Sequence, residues 1–194
     1  MIIKKAKEKN LNQLILISDH LPKRIRNRKS LFSENLELDL HSAKILYTSL
    51  LPGPELEAAA LAYKKRIPYV AVIPYKNYPA NWPVPRKQRY DFYLKKALKV
   101  FYVDRQLNFI SEISEPDIYG KEKIFLYIDW LFKQINLSPI KTNLITYVEG
   151  FHSFKMKKLA RTIASLDPEQ KNKFKLTQRT FFNDSNLYWK DRVF

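Results

Sequence analysis

The chain has 194 residues, of which 45% are hydrophobic and 28% charged, the proportions of one globular domain with a short appendage. It contains no cysteine, which excludes a disulfide framework, cysteine-ligated zinc and thiol catalysis. Thirty-five lysines and arginines against 19 acids give a net charge of +16, a field that attracts polyanions, while three glycines leave little material for loops that cradle phosphate.

Met1–Asn10 is rich in lysine, and the apolar run Leu14–Ile17 is too short for the core of a signal peptide. Nothing approaches the roughly eighteen consecutive apolar residues of a membrane span. A cysteine-free chain of this kind fits the cytoplasm or another reducing compartment, an organelle stroma or matrix included.

Leu14–Ile17 reads as a buried strand ending in Ser18-Asp19-His20. Lys23, Arg24, Arg26, Arg28 and Lys29 then form the densest positive cluster, a candidate polyanion-binding patch or a solvated face. Ser30–Leu40 is expected as a short helix and Ala43–Thr48 as a second strand. Leu50-Leu51-Pro52-Gly53-Pro54 is a turn. Glu55–Lys65 is the clearest helix: alanine-rich, acidic in its first turn, basic in its last, with Pro54 at its start. Tyr69–Ile73 (YVAVI) reads as a central parallel strand. The four prolines of Pro74–Pro85 exclude regular structure there.

Lys87–Lys99 is expected as a helix, Val100–Val103 as a strand, Leu107–Gly120 as a loop, Lys121–Ile135 as a helix and Leu144–Val148 as a strand. Ser153–Ser165 is an amphipathic helix with Ser153 as N-cap. Alternating strands and helices imply βαβ units: a single open Rossmann-like α/β domain over 12–166, its mainly parallel sheet flanked by helices on both faces. Residues 1–11 precede it as a basic segment. Residues 167–194 lack a clear period and read as a basic aromatic tail that packs on the domain or on a partner. Its Phe181, Phe182, Tyr188 and Trp189 amid cations suit a partner-binding or base-stacking role.

The stretches TSLLPGPELEAAALAYKKRIPYVAVIPY and NWPVPRKQRYDFYLKKALKVFYV carry a family resemblance. Pro68, Pro74, Trp82, Pro83, Arg89, Tyr90, Ala97 and Val100 fall without a gap at the places where the YpsA-like branch of the SLOG superfamily shows its Ile-Pro strand, Trp-Pro turn and Arg-Tyr helix. Ser18-Asp19-His20-Leu21-Pro22 sits where that branch has Thr-Gly-His-Arg-Pro. Lys123 and Asp129 have the spacing of its Arg…Asp pair, and Glu149-Gly150 with Ser153 occupies the place of its Asp-Gly loop. The chain resembles these Rossmann-like relatives of the DNA-processing protein DprA and of the LOG enzymes over residues 12–165. Asp19 and Ser49 replace glycines, Glu55 replaces an aspartate, and the double glycine before Ser153 is absent.

The resemblance implies a ligand pocket at the strand ends, formed by Ser18, His20, Ser49, Gly53, Glu55, Pro74, Trp82 and Ser153 with Arg89 in support. Glu55 would act there as a base toward a ribose, or merely favour its helix N-terminus. Trp82 would stack on a base or pack the proline-rich loop. Arg89 would pair with phosphate or with an acid inside the fold. No catalytic motif is present, and no metal site or cofactor is expected. The expected function is that of a non-catalytic, degenerate SLOG-type protein binding a nucleotide-like ligand or nucleic acid. An interaction subunit of a larger assembly, bound to an acidic protein or anchored by the tail, is the alternative. A nucleotide N-glycosidic-bond hydrolase of LOG type is the second alternative.

Overall fold

Successive residues of the first strand face opposite layers of the molecule, which fixes the architecture. Leu14 and Leu16 belong to one core cluster and Ile15 and Ile17 to another, and all four are buried. A strand apolar on both faces must be covered on both, the signature of a parallel sheet between helical layers. A computed structural model describes residues 12–18, 30–103, 116–137, 141–148, 154–183 and 187–193.

The strands are β1 (Asn12–Ser18), β2 (Ala43–Thr48), β3 (Tyr69–Ile73), β4 (Lys99–Tyr102), β5 (Thr142–Val148), β6 (Phe174–Asn183) and β7 (Leu187–Val193), in the spatial order β4-β3-β2-β1-β5-β6-β7. Strands β1 to β6 are mutually parallel and β7 returns antiparallel along β6. The fold is the expected Rossmann-like α/β sheet. Helices α1 (Ser30–Leu40), α2 (Pro54–Lys64) and α3 (Val84–Lys96) cover the face of Leu14 and Leu16; α4 (Pro116–Leu137) and α5 (Phe154–Ser165) cover the other. No described helix is long and apolar enough to cross a membrane.

Local chemistry accounts for the boundaries. Helix α2 lies close on the sheet because Ala58, Ala59 and Ala62 are its fully buried contacts. Helix α3 starts at Val84 rather than Lys87, since Pro83 supplies an extended N-cap and Pro85 fits the first turn. Helix α4 likewise begins at Pro116, five residues before the expected start, with the proline at its first position.

The segment expected as an aperiodic tail packs on the domain as part of its sheet. Asp167 caps the short helix α6 (Pro168–Lys171) with a reciprocal capping box. Strand β6 then pairs with β5 from Thr142 opposite Phe174 to Val148 opposite Thr180. Phe174 and Leu176 alternate with exposed Lys175, but the buried Arg179 breaks the alternation, and so the strand does not declare itself in the sequence. Arg179 donates to Asp39 of α1 at 2.6 Å, and both side chains are 8% exposed. Tyr147 donates to the same carboxylate at 3.3 Å. Phe181 stands opposite Trp189, and Phe182 opposite Tyr188, in the β6–β7 ladder.

A chain ending at Leu166 should therefore lose cooperative folding, because it exposes the whole β5 edge and leaves Asp39 without Arg179. Circular dichroism should show no sharp thermal transition for the shortened chain; a melting curve equal to that of the full chain would mean that β6 is a dispensable appendage.

Candidate functional site

Parallel pairing brings the carboxyl ends of β1, β2 and β3 to one edge, at Ser18, Thr48-Ser49 and Ile73-Pro74. Strand order reverses beside β1, with β2, β3 and β4 stepping outward on one side and β5 and β6 on the other. Open α/β sheets bind ligands at such a switch point, where backbone N–H groups and helix N-termini face the crevice.

Here the protein's own carboxylate occupies those donors. The turn after β2 leads into α2 through Gly53, whose φ of 122° requires glycine. Leu50, buried in the same turn, holds φ at 60°, a left-handed conformation that costs a residue with a Cβ about 1 kcal/mol. This path sets Glu55 in the first turn of α2, pointing back at the strand ends. Its Oε1 accepts the Ser18 backbone N–H at 2.7 Å and the Ser18 hydroxyl at 3.3 Å. Its Oε2 accepts the Ser49 backbone N–H at 2.8 Å and also the Ser49 hydroxyl. Lys155, in the first turn of α5, places its Nζ 3.4 Å from Oε1 and donates to the Ser18 carbonyl at 2.7 Å. Ser18, Ser49 and Glu55 are 0% exposed and Lys155 is 6% exposed. Thr48 ties the same turn together, its hydroxyl donating to the Glu55 carbonyl at 3.2 Å and accepting from the Leu50 N–H.

Tyrosines close the site from above. Burial pushes the Tyr78 and Tyr127 phenols well above the usual range, and the Glu55 carboxylate pushes them further, while hydrogen bonding with Ser49 opposes the shift. The Tyr127 ring also lies 5.7 Å from Lys155 Nζ. Tyr78 continues outward edge-to-face onto Trp82 at 5.3 Å, and Trp82 onto Tyr90 at 5.4 Å. Ser49 and Trp82 thus share one end of the molecule, joined through Tyr78.

Of the sequence-derived site residues, Ser18, Ser49, Gly53, Glu55 and Pro74 converge, and all five are buried. Trp82 packs the proline-rich loop between two tyrosines. Arg89 points elsewhere, its guanidinium gripping Glu57 of α2 through two bonds of 2.6 and 2.8 Å, and this pairing raises its pKa further. Asp129 lies half-exposed between α4 and α5, 2.7 Å from Lys158. His20, Ser153 and the run Lys23, Arg24, Arg26, Arg28 and Lys29 lie outside the described residues, as do the side chains of Phe181, Phe182, Tyr188 and Trp189. Among the described residues, no group of three or more His, Asp or Glu side chains could hold a metal ion.

Lys155 escapes the sequence reading, although one signal points to it. A cation in the first turn of a helix opposes the helix dipole, and Lys155 adjoins the apolar row Met156, Leu159 and Ile163. A lysine so placed needs an anion from another element, and Glu55 is that anion. In comparisons with known proteins, no family model and no curated protein matches the chain.

Glu55→Ala strips the acceptor from two buried N–H groups, two hydroxyls and a buried ammonium, and should lower stability by about 3–5 kcal/mol in urea unfolding. A loss below about 1 kcal/mol would show the network to be incidental.

Burial also raises Tyr69 and Tyr90. A phenol with a raised folded pKa contributes stability below its unfolded value near 10, and this is lost as pH rises through the folded value. The melting temperature should therefore hold up to about pH 10 and fall progressively above it. In Tyr78→Phe the fall should be shallower; an unchanged profile in that variant would remove Tyr78 from the account.

Proposed function

We propose that this chain is a non-catalytic Rossmann-like protein, degenerate in the manner of SLOG domains, that binds nucleic acid through its basic surface. The observation that carries the reading is Glu55. The donors that would hold a ligand's phosphate at the switch point are bound to an internal carboxylate that is itself fully buried. A general base must reach its substrate, and Glu55 is fully buried with both oxygens hydrogen-bonded inside the fold, which weighs against an N-glycosidic hydrolase. A nucleotide would have to displace Glu55 and leave Lys155 to neutralise it elsewhere.

Electrostatics supports the nucleic-acid half of the reading. Glu55, Glu57, Asp39 and Asp129 are each held by a cation of the same chain. Each pair uses one cation and one acid and leaves the excess of +16 untouched, so the outer field of the chain is positive. Such a field favours a phosphodiester backbone, with a steep dependence on salt.

Fluorescence anisotropy with labelled RNA and DNA tests this. Affinity should fall at least about tenfold between about 50 and about 200 mM salt. A panel of mononucleotides and dinucleotides should leave the melting temperature unchanged. A nucleotide that raises it by several degrees, or absence of nucleic-acid binding at the lower salt, would refute the proposal.

A further inference from the structure

The exposed ends of α2 and α3 carry an arrangement that the strand-end site does not use. Tyr63 and Phe92 are each 46% exposed and meet edge-to-face at 5.9 Å. Tyr93 braces both, at 6.3 Å from Tyr63 and 5.0 Å from Phe92. The Lys96 ammonium lies 6.0 Å from the Tyr63 ring and 5.8 Å from the Phe92 ring. Leu98 follows, 68% exposed, and the Lys99 ammonium stands 4.4 Å from the Phe101 ring.

This cluster lies at the amino-terminal edge of the sheet, opposite the Glu55 site. The Leu98 N–H donates to the Tyr69 carbonyl at 2.8 Å, and the Tyr69 hydroxyl donates to the Tyr93 carbonyl, which together tie the end of α3 to the start of β3. Helices ending here point their carbonyl ends outward, which explains the terminal cations Lys64, Lys95 and Lys96. Residues 63–99 hold ten lysines and arginines against one acid, Asp91. The nearby acid Glu57 is neutralised by Arg89.

We infer that Tyr63, Phe92 and Lys96 form a stacking platform for single-stranded nucleic acid, with Lys64, Arg66, Lys95 and Lys99 tracking its backbone; this rests on the proposed nucleic-acid function. Rings locked edge-to-face present fixed π-surfaces, and cations beside them attract phosphate, the combination that holds unpaired bases without sequence preference. A duplex hides its base faces and would gain only the charge contribution. A membrane surface fits less well, because the apolar faces of α2 and α3 are already spent on the core through Leu56, Ala59, Ala62 and Tyr90.

The test uses the full chain and a fluorescein-labelled oligothymidine of about 20 nucleotides, longer than one site of this kind. The single strand should bind more tightly than a duplex of the same length. Tyr63→Ala with Phe92→Ala should weaken single-strand binding about tenfold or more and change duplex binding little. Lys95→Glu with Lys99→Glu should flatten the salt dependence for both. Ultraviolet crosslinking of the unaltered protein, read by mass spectrometry, should place the oligonucleotide on peptides carrying Tyr63 or Phe92, a result that does not depend on how the variants fold. Salt-steep binding that survives the aromatic double substitution, with crosslinks elsewhere, would overturn this site and leave the broader proposal standing. Absence of binding to any nucleic acid at low salt would overturn both. Binding to phosphatidylserine vesicles without oligonucleotide binding would assign the patch to a membrane surface instead.

Discussion

One buried carboxylate ties the strand-end edge of this molecule together. Glu55 accepts from the ends of β1 and β2 at once, sits at the N-terminus of α2, and is met by Lys155 from the N-terminus of α5. Those elements flank the switch point on both sides of β1, so the ion pair does for the crevice what a bound anion does in other doubly wound sheets. A carboxylate buried without these partners would be prohibitively costly, and with them it locks two helices onto the sheet. The left-handed turn at Leu50 and the positive φ of Gly53 are the local strains that this placement tolerates.

Glu55 is one of several acids that the fold pairs with its own cations. The Glu57–Arg89 and Asp39–Arg179 pairs follow the same economy, each using an acid to fasten a helix to its neighbour or to the sheet. These pairs leave the excess of 35 lysines and arginines over 19 acids in place, which gives the chain a cationic field. At the opposite edge this field coincides with half-exposed aromatic rings, so the described residues of the two ends differ in chemistry: one holds a buried salt bridge, the other is cationic and aromatic.

The architecture was largely legible in the sequence because it rests on local signals. The run YVAVI is apolar on both faces, and the helix from Pro54 carries its proline, acids and lysines where the dipole favours them. Ser18, Ser49, Gly53 and Glu55 could be grouped because each follows a strand or opens a helix. Their exposure could not be read, since whether Glu55 faces a ligand or a lysine depends on a residue one hundred positions away. Lys155 and the Arg179–Asp39 pair share that difficulty: a buried charge has a meaning only through a partner that the local pattern does not name. Strand β6 was hidden for the same reason, its alternation broken by the arginine that reaches α1.

If Glu55 stands in for a bound anion, a small anion should replace it when it is removed. The most direct measurement is the melting temperature of Glu55→Ala and of the unaltered protein across a series of acetate and inorganic phosphate concentrations. Rescue confined to the variant, with the unaltered protein unmoved, is the expected result. A rise in the unaltered protein, or a variant indifferent to both anions, would contradict the assignment of Glu55 as the internal occupant of the strand-end site.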